Sequence, residues 1–556
     1  MRRGTTHGLG SGGANTSRGS ETLEIALDNV DLKIYPAVVY AIDGSIVPVR
    51  LLGVPGSYPS PHEVARHEAL MPEADSIGKC VLADSLSDII TPPAGDVGEV
   101  VPSVPVLPDD LFSRSPAAGA PILQKYLDSL PTEDRYAAFE PLVREHWKWL
   151  CKAAPYLKFP EPKPILEGQR INIGLRIFSL TGGGAQRSIS LLANHFASDP
   201  HYNVILFIDD NQAGRLDYPI SSNVRVEFIN SGIANWAEII KKLPQDLIIL
   251  SEHWDRKNYI NILLLKLLGV RVLAQERNSM FNHHPFKNYK EKQACVSPLY
   301  TCCDAVSCLS RCDLYGWRKN GVSNSIFLPN LPTFDPRSTT PAPLESNNIL
   351  WVGRWDPWQK RPQMAIEVFA KVLQKVPNAR LIMAGPIDNR RCYRRCLRRI
   401  QELGIGHAVN IVGFQKDMVP IYAQGALLLS TSHEEGWGMM IAEAKTFGLP
   451  VVSTAMPYLE TLKKGCIQTP RNDVDATADA IVDLLQNPEK RKQLGADGRQ
   501  DMLENFSNEI TFAKYDALMD AIWAGPDAVA KLCAAEPLMD AAVAEKIVAE
   551  EAKFFK

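Results

Sequence analysis

The chain has 556 residues, 45% hydrophobic and 22% charged, with a formal net charge of −3. That is the composition of a core-forming globular protein, and the near-neutral balance excludes a generally basic binder, so no nucleic-acid partner is expected. No apolar run reaches the about 20 residues that a bilayer span needs.

The opening stretch, residues 1–10, carries two arginines but lacks the apolar core of a secretory signal. Cytoplasmic residence is the expectation. Eleven cysteines, an odd number in a long chain, point to reduced thiols. Cys295, Cys302, Cys303, Cys308 and Cys312 cluster, but without the paired short spacings of a zinc site. They are read as buried apolar thiols, and no metal ligand is assigned.

Residues 1–21 are rich in Gly, Ser and Thr and read as a disordered tail. Residues 22–165 read as an appended α+β region of unknown role. Leu23, Ile25 and Leu27 alternate. Residues 37–42 and 45–52 flank Asp43-Gly44, a hairpin signal. A helix is expected at residues 62–71. Seven prolines over 91–121 suggest an extended linker. Residues 132–157 are helical in pattern, with Thr132 as N-cap and acids in the first turn. Pro155, Pro160, Pro162 and Pro164 mark the boundary.

Residues 166–338 open with an apolar strand at 171–178, a Gly-rich turn Thr181-Gly-Gly-Gly184, a helix at 185–196 and a strand at 204–208. This is a Rossmann-like start, although its glycines are consecutive rather than spaced as in the dinucleotide fingerprint. Strands at 246–250 and 270–274 end in Ser251-Glu-His-Trp254 and Gln275-Glu-Arg-Asn278. Ligands of open α/β sheets sit at the carboxyl ends of strands, so His253, Glu276, Arg277 and Asn278 are cleft candidates. A buried strand at 304–310 and a stretch ending in Pro329-Asn330 close the domain, and 335–346 reads as a hinge.

A second Rossmann-like domain spans 345–505. Its first strand ends in Gly353-Arg354, and Lys360 follows six residues later. A helix at 364–375 and a strand at 380–385 come next. In Arg390-Arg-Cys-Tyr-Arg-Arg-Cys-Leu-Arg-Arg-Ile400 helical spacing puts Arg390, Arg391, Arg394, Arg395, Arg398 and Arg399 on one half of a helix. Cys392, Tyr393, Cys396, Leu397 and Ile400 fall on the other. The basic half is a solvated face or a surface for anionic lipid. A strand at 409–414 follows.

Then comes an apolar strand at 426–430, a loop broken by Gly436 and Gly438, a helix at 439–447 and a strand at 450–453. Glu435 precedes the helix and Glu443 lies two turns along. Free amides at that helix start suit a phosphate or sugar hydroxyl. Asp473-Val-Asp475 reads as a helix-start cluster before 476–486. A closing helix at 506–525, with Ser507 as N-cap, leads to a helical tail at 526–556.

The run Glu435-Gly-Trp-Gly438, then Glu443-Ala444, then Gly448-Leu-Pro-Val-Val452 resembles the donor-site signature of retaining family-4 glycosyltransferases with the GT-B fold. Gly183-Gly-Ala-Gln-Arg187 is similar to that family's first loop, with Gln186 where a glutamate is usual. Gly353-Arg354 with Lys360 resembles its diphosphate clamp, although Arg361 stands where a glycine is common. Relatives often have a histidine at the position of Glu276.

The resemblance covers about residues 170–523. It implies an α/β GT-B protein with two Rossmann-like domains facing a cleft, and transfer with retention from a nucleotide-sugar to a saccharide or lipid-linked acceptor. Cell-envelope or polysaccharide synthesis is the implied setting. Glu443 would hold the ribose. Gly436, Trp437, Gly438 and Met439 would hold sugar and phosphate beside Glu435, and Gly413 and Phe414 would meet the base. Arg354 and Lys360 would neutralise the leaving diphosphate, with no metal and no cofactor required. Gly183, Gly184, His253, Glu276, Arg277 and Asn278 would line the acceptor side. Peripheral contact with the inner membrane face, through the arginine helix, is a further expectation. A nucleotide-sugar epimerase and a non-catalytic sugar-binding scaffold are the rival readings.

Overall fold

A computed structural model describes residues 33–40, 46–53, 106–209, 216–229, 235–251 and 256–555. The expected tail at 1–21, the helix at 62–71 and His253 lie outside these residues. The chain divides into two compact units, residues 1–103 and 104–556. In the first, β1 (Lys33–Tyr40) pairs antiparallel with β2 (Ile46–Gly53), Tyr40 opposite Ile46. The two strands expected to flank Asp43-Gly44 are thus paired, in a register one residue away from that of a two-residue turn at these positions.

The second unit starts with α1 (Pro116–Ser129) and α2 (Thr132–Ala153). The proline-rich stretch 91–121 therefore does not stay extended to its end. Pro116 stands at the first helical position, where its missing N–H costs nothing, and Ser115 caps it. These helices belong to the same compact unit as the sheets. Tyr136, Phe139, Val143, Trp147 and Leu150 form the buried face of α2.

The first sheet holds β3 (Ile171–Ile177), β4 (Tyr202–Ile208), β5 (Val224–Phe228), β6 (Leu247–Ser251), β7 (Arg271–Gln275), β8 (Ala305–Cys308) and β9 (Ser325–Phe327). All pairings are parallel, in the order β5-β4-β3-β6-β7-β8-β9. Its connecting helices are α3 (Gly184–Ser198), α4 (Trp236–Lys242), α5 (Arg256–Leu267), α6 (Tyr289–Tyr300) and α7 (Arg311–Lys319). Strands covered on both faces need near-continuous apolar sequence, and Leu247, Ile248, Ile249 and Leu250 are all fully buried. Trp147 of α2 stacks on Tyr259 of α5 at 5.9 Å, so α2 thickens one face of this layer.

The second sheet runs β12-β11-β10-β13-β14-β15, again all parallel. Its strands are β10 (Asn348–Val352), β11 (Arg380–Ala384), β12 (Val409–Gly413), β13 (Leu427–Ser430), β14 (Val451–Thr454) and β15 (Cys466–Thr469). Around it lie α8 (Pro362–Lys375), α9 (Arg390–Glu402), α10 (Val419–Ala423), α11 (Met439–Thr446), α12 (Val474–Gln486) and α13 (Pro488–Asn505). Asp473 caps α12 by accepting from the Ala476 N–H at 2.8 Å, which accounts for the Asp-x-Asp run.

The chain then returns. α14 (Asn508–Ala524), capped by Ser507, buries Tyr515, Leu518, Met519 and Ile522 in the core of the first sheet. α15 (Pro526–Ala535) and α16 (Ala541–Phe554) follow. Every described cysteine is a free thiol.

Candidate active site

Both sheets reverse strand order beside their first strand, between β3 and β6 and between β10 and β13. A crevice opens at the carboxyl end of such a switch point. The Gly-rich turn follows β3, Arg354 and Lys360 follow β10, and Glu435 follows β13. The three motifs therefore converge because of topology, although Glu435 lies 252 positions after Gly183.

Gly182 and Gly183 have φ of 55° and 101°, values that favour glycine. Tyr218 donates its hydroxyl to the Gly183 carbonyl at 2.9 Å. The Arg187 guanidinium lies 5.0 Å from the Tyr218 ring centre. Burial pushes the Tyr218 phenol up to about 12. Gly184 lies directly against Met439 of the second half: a Cβ there would sit 2.2 Å from the Met439 Cγ. Gly436 does the same in reverse, since its Cβ would fall 2.3 Å from the Arg277 carbonyl oxygen and 3.0 Å from Asn278 Cα. Arg311 donates its N–H to Glu460 at 2.8 Å, and Asn282 donates to Glu434 at 3.3 Å. At these points the halves are closed onto each other.

Lys360 forms an ion pair with Glu435, both side chains largely buried. The Glu435 N–H donates to the Tyr458 hydroxyl at 3.3 Å. Arg354 is exposed and donates to Gln359 at 2.8 Å, a cation at the rim. Glu443 accepts from Thr333 of the interdomain linker and from Tyr422 of α10. Gly413 takes φ 67° and Phe414 is half exposed, at the opposite edge of the sheet. Burial and the neighbouring Glu435 raise the Glu434 carboxyl. Burial, Arg471 and Arg361 lower His433, so its ring is neutral near pH 7.

Three expected site residues are placed otherwise. Glu276 is 2% exposed, paired with Lys292 at 3.2 Å and accepting from the Tyr300 hydroxyl. Its carboxylate anchors α6 beneath the sheet end and does not face the cleft. The Trp437 indole is 2% exposed, 5.1 Å from the Phe506 ring and 6.4 Å from that of Phe327. Only its backbone can reach a ligand. Arg277 is buried and donates to Gln275 at 2.6 Å and to Asn330, joining the strand end to the linker. Asn278 stays at the seam. A spacing pattern finds a strand end but not which way each side chain turns there.

Sequence reading also passed over Arg187, Arg361, His433, Tyr458 and Arg471. Arg361 was visible only as a departure from Lys-Gly, and Arg471 had no motif around it. A depression of about 670 Å³ lined by Arg170, Asn172 and Tyr202 opens at the amino ends of β3 and β4. That is the wrong end of a parallel sheet for a ligand.

Residues 335–501 match the family model of glycosyl transferases group 1. The chain is 25% identical over 162 residues to N-acetyl-alpha-D-glucosaminyl L-malate synthase of Bacillus anthracis, covering 29% of this chain and 42% of that protein. It spans about half the length, or less, of the first curated relatives it matches. Sucrose-phosphate synthase from Thermosynechococcus elongatus superposes with a TM-score of 0.54 at 19% identity, over 64% of this chain and all of that one. Anabaena HepE, in complex with UDP and glucose, gives 0.53 at 15% identity, over 63% of this chain and all of that one. The fold is thus the expected GT-B arrangement, and the homologues of the second half are group 1 glycosyltransferases. Among the described residues no helix is long and apolar enough to cross a membrane.

Proposed function

We propose that this chain is a retaining glycosyltransferase of family 4, moving a sugar from a nucleotide-sugar to a saccharide or lipid-linked acceptor in cell-envelope or polysaccharide synthesis. The observation that carries the reading is the Lys360–Glu435 pair at the second switch point, with Arg354, held by Gln359, on the same strand-end loop. As the glycosidic bond to the diphosphate breaks, negative charge grows on the leaving oxygens. Lys360 and Arg354 neutralise it, and such fixed charges act most strongly in a site closed to water, where no solvent must reorganise as the bond breaks. Amides at Gly438 and Met439 receive phosphate oxygens at the start of α11. Gly413 and Phe414 meet the base at the β12 edge. Glu443 would exchange its Thr333 and Tyr422 partners for ribose hydroxyls. Uridine is the base we favour, because HepE is a UDP-bound neighbour of the same fold.

Retention proceeds through the front face: the departing phosphate takes the acceptor proton while the new bond forms on the side the diphosphate leaves. Glu435, already paired with Lys360, orients the sugar rather than attacking it. A covalent sugar adduct on Glu435, sought by mass spectrometry after donor mixing, would replace this route with double displacement. The primary test is a nucleotide-sugar panel scored by thermal shift and then by release of nucleoside diphosphate. Stabilisation by no member of the panel refutes the reading.

Membrane contact belongs to the same proposal. Arg390, Arg391, Arg394, Arg395 and Arg398 are exposed on α9, whereas Arg399 is tied to Glu367. Leu397, expected on the docked face, is 40% exposed among them. Sedimentation with anionic but not neutral vesicles, lost on Arg394→Glu with Arg395→Glu, is the expected result.

A further inference from the structure

Beyond Glu435, on the β15 side of the switch point, three loops bring two guanidiniums and a neutral imidazole together. Arg361 follows Lys360, His433 precedes the glutamate pair, and Arg471 lies two residues past β15. By strand order this is the side opposite Phe414, so it lies past the sugar rather than near the base. Arg361 Nη1 and Arg471 Nη1 are both buried and have no hydrogen-bond partner. Two guanidiniums with unpartnered buried N–H groups are the donor set of an anion site.

One anion already reaches it, from the chain's own tail. Glu551 of α16 is 3% exposed, and both its oxygens accept from Arg471 Nη2, at 2.8 and 2.7 Å. Phe554 packs its ring 3.7 Å from the Arg471 guanidinium and 4.4 Å from the His433 ring. Phe555 stacks on Phe281 of the first half at 5.9 Å. Nearer its start, α16 is held to α7 by Tyr315 donating to Glu545 at 2.7 Å. The helix therefore reaches from one half to the other and ends on the cations.

We propose that Arg361 and Arg471 form a subsite for the anionic oxygens of an acidic acceptor, a phosphate or a carboxylate, and that Glu551 holds this subsite in the resting chain. Binding of the acceptor displaces the carboxylate and frees the end of α16. The word acceptor rests on the glycosyltransferase reading, but the anion site does not.

The test uses the full chain, titrated separately with inorganic phosphate and with malonate to distinguish phosphoryl from carboxylate recognition. Removing a bidentate carboxylate rival should tighten anion binding about tenfold in Glu551→Gln. That gain should vanish when Arg471→Ala or Arg361→Ala is added. It should survive Lys360→Ala, which separates this site from the diphosphate clamp. Nucleoside diphosphate binding, read in the same Lys360→Ala protein, tests the donor reading on its own. If Glu551→Gln shows no cooperative thermal transition, Phe554→Ala takes its place under the same criteria. Equal anion affinity with and without the substitution, or a gain that persists without Arg471, overturns the proposal.

Discussion

Gly436→Ala is the most direct probe of how the two halves meet. The added Cβ would stand 2.3 Å from the Arg277 carbonyl oxygen and 3.0 Å from Asn278 Cα. Ordinary contact begins near 3.4 Å, so the seam must open by about 1 Å, and both opposing atoms are backbone that cannot swing aside. Overpacking of this kind costs about 1–3 kcal/mol. A 1 Å misplacement of cleft groups costs about 100-fold in rate. Gly184→Ala is the comparison: its Cβ would stand 2.2 Å from Met439 Cγ, which can turn away about the Cα–Cβ bond, and 3.0 Å from Met439 Cβ, which must give by a few tenths of an ångström. Urea unfolding and nucleoside diphosphate release, with the best donor of the panel, read the two effects. Gly436→Ala should lose both stability and turnover, and Gly184→Ala should lose less of each, because its main obstacle is a rotatable side-chain atom and not backbone. Wild-type stability and turnover in Gly436→Ala would refute the closed seam.

Other substitutions test the surrounding frame. Asp313 is fully buried, and desolvation pushes its carboxyl up to about 6 from 3.8. The folded state therefore holds its proton where the unfolded state has lost it. Its contribution is fully present below pH 4 and falls by about 3 kcal/mol as pH rises to 6, a slope that Asp313→Asn should remove from the pH profile of unfolding. Lys445 is fully buried and paired with Asp501 at 2.6 Å. Lys445→Ala should cost about 3–5 kcal/mol by denaturant titration, and Lys445→Met with Asp501→Leu markedly less. Trp437→Ala should destabilise by about 3–5 kcal/mol yet leave nucleotide affinity of the folded protein unchanged. A selective loss of affinity would return the indole to the binding surface.

The sheets were legible because their strands are buried on both faces, and such strands announce themselves as apolar runs bounded by glycine and proline. The loop around Gly436 and Gly438 was legible for a related reason. A turn that must bring backbone close to a partner needs glycine at fixed places, and Gly436 and Gly438 fall where the chain meets Arg277 and where φ is 74°. Side-chain direction was not legible. Glu276 and Trp437 sit in motif positions but turn inward, because Lys292 and Phe506, distant in sequence, are waiting there. The first helix escapes a reading that counts prolines without placing them: Pro116 at a helix start means something different from Pro116 in a linker. The cation cluster at Arg361 and Arg471 escapes because a site assembled from three loops leaves no local pattern.

The backbone passes between the two halves twice, once through the linker near 331–347 and once at Ser507 on the way into α14. Arg499 of α13 clamps the first crossing, donating to the carbonyls of Pro336 at 2.6 Å and Thr339 at 2.8 Å. A body joined at one point can swing and twist freely, whereas one joined at two pivots about the line between them. Any opening of the two halves is thereby confined to a door-like arc about that line.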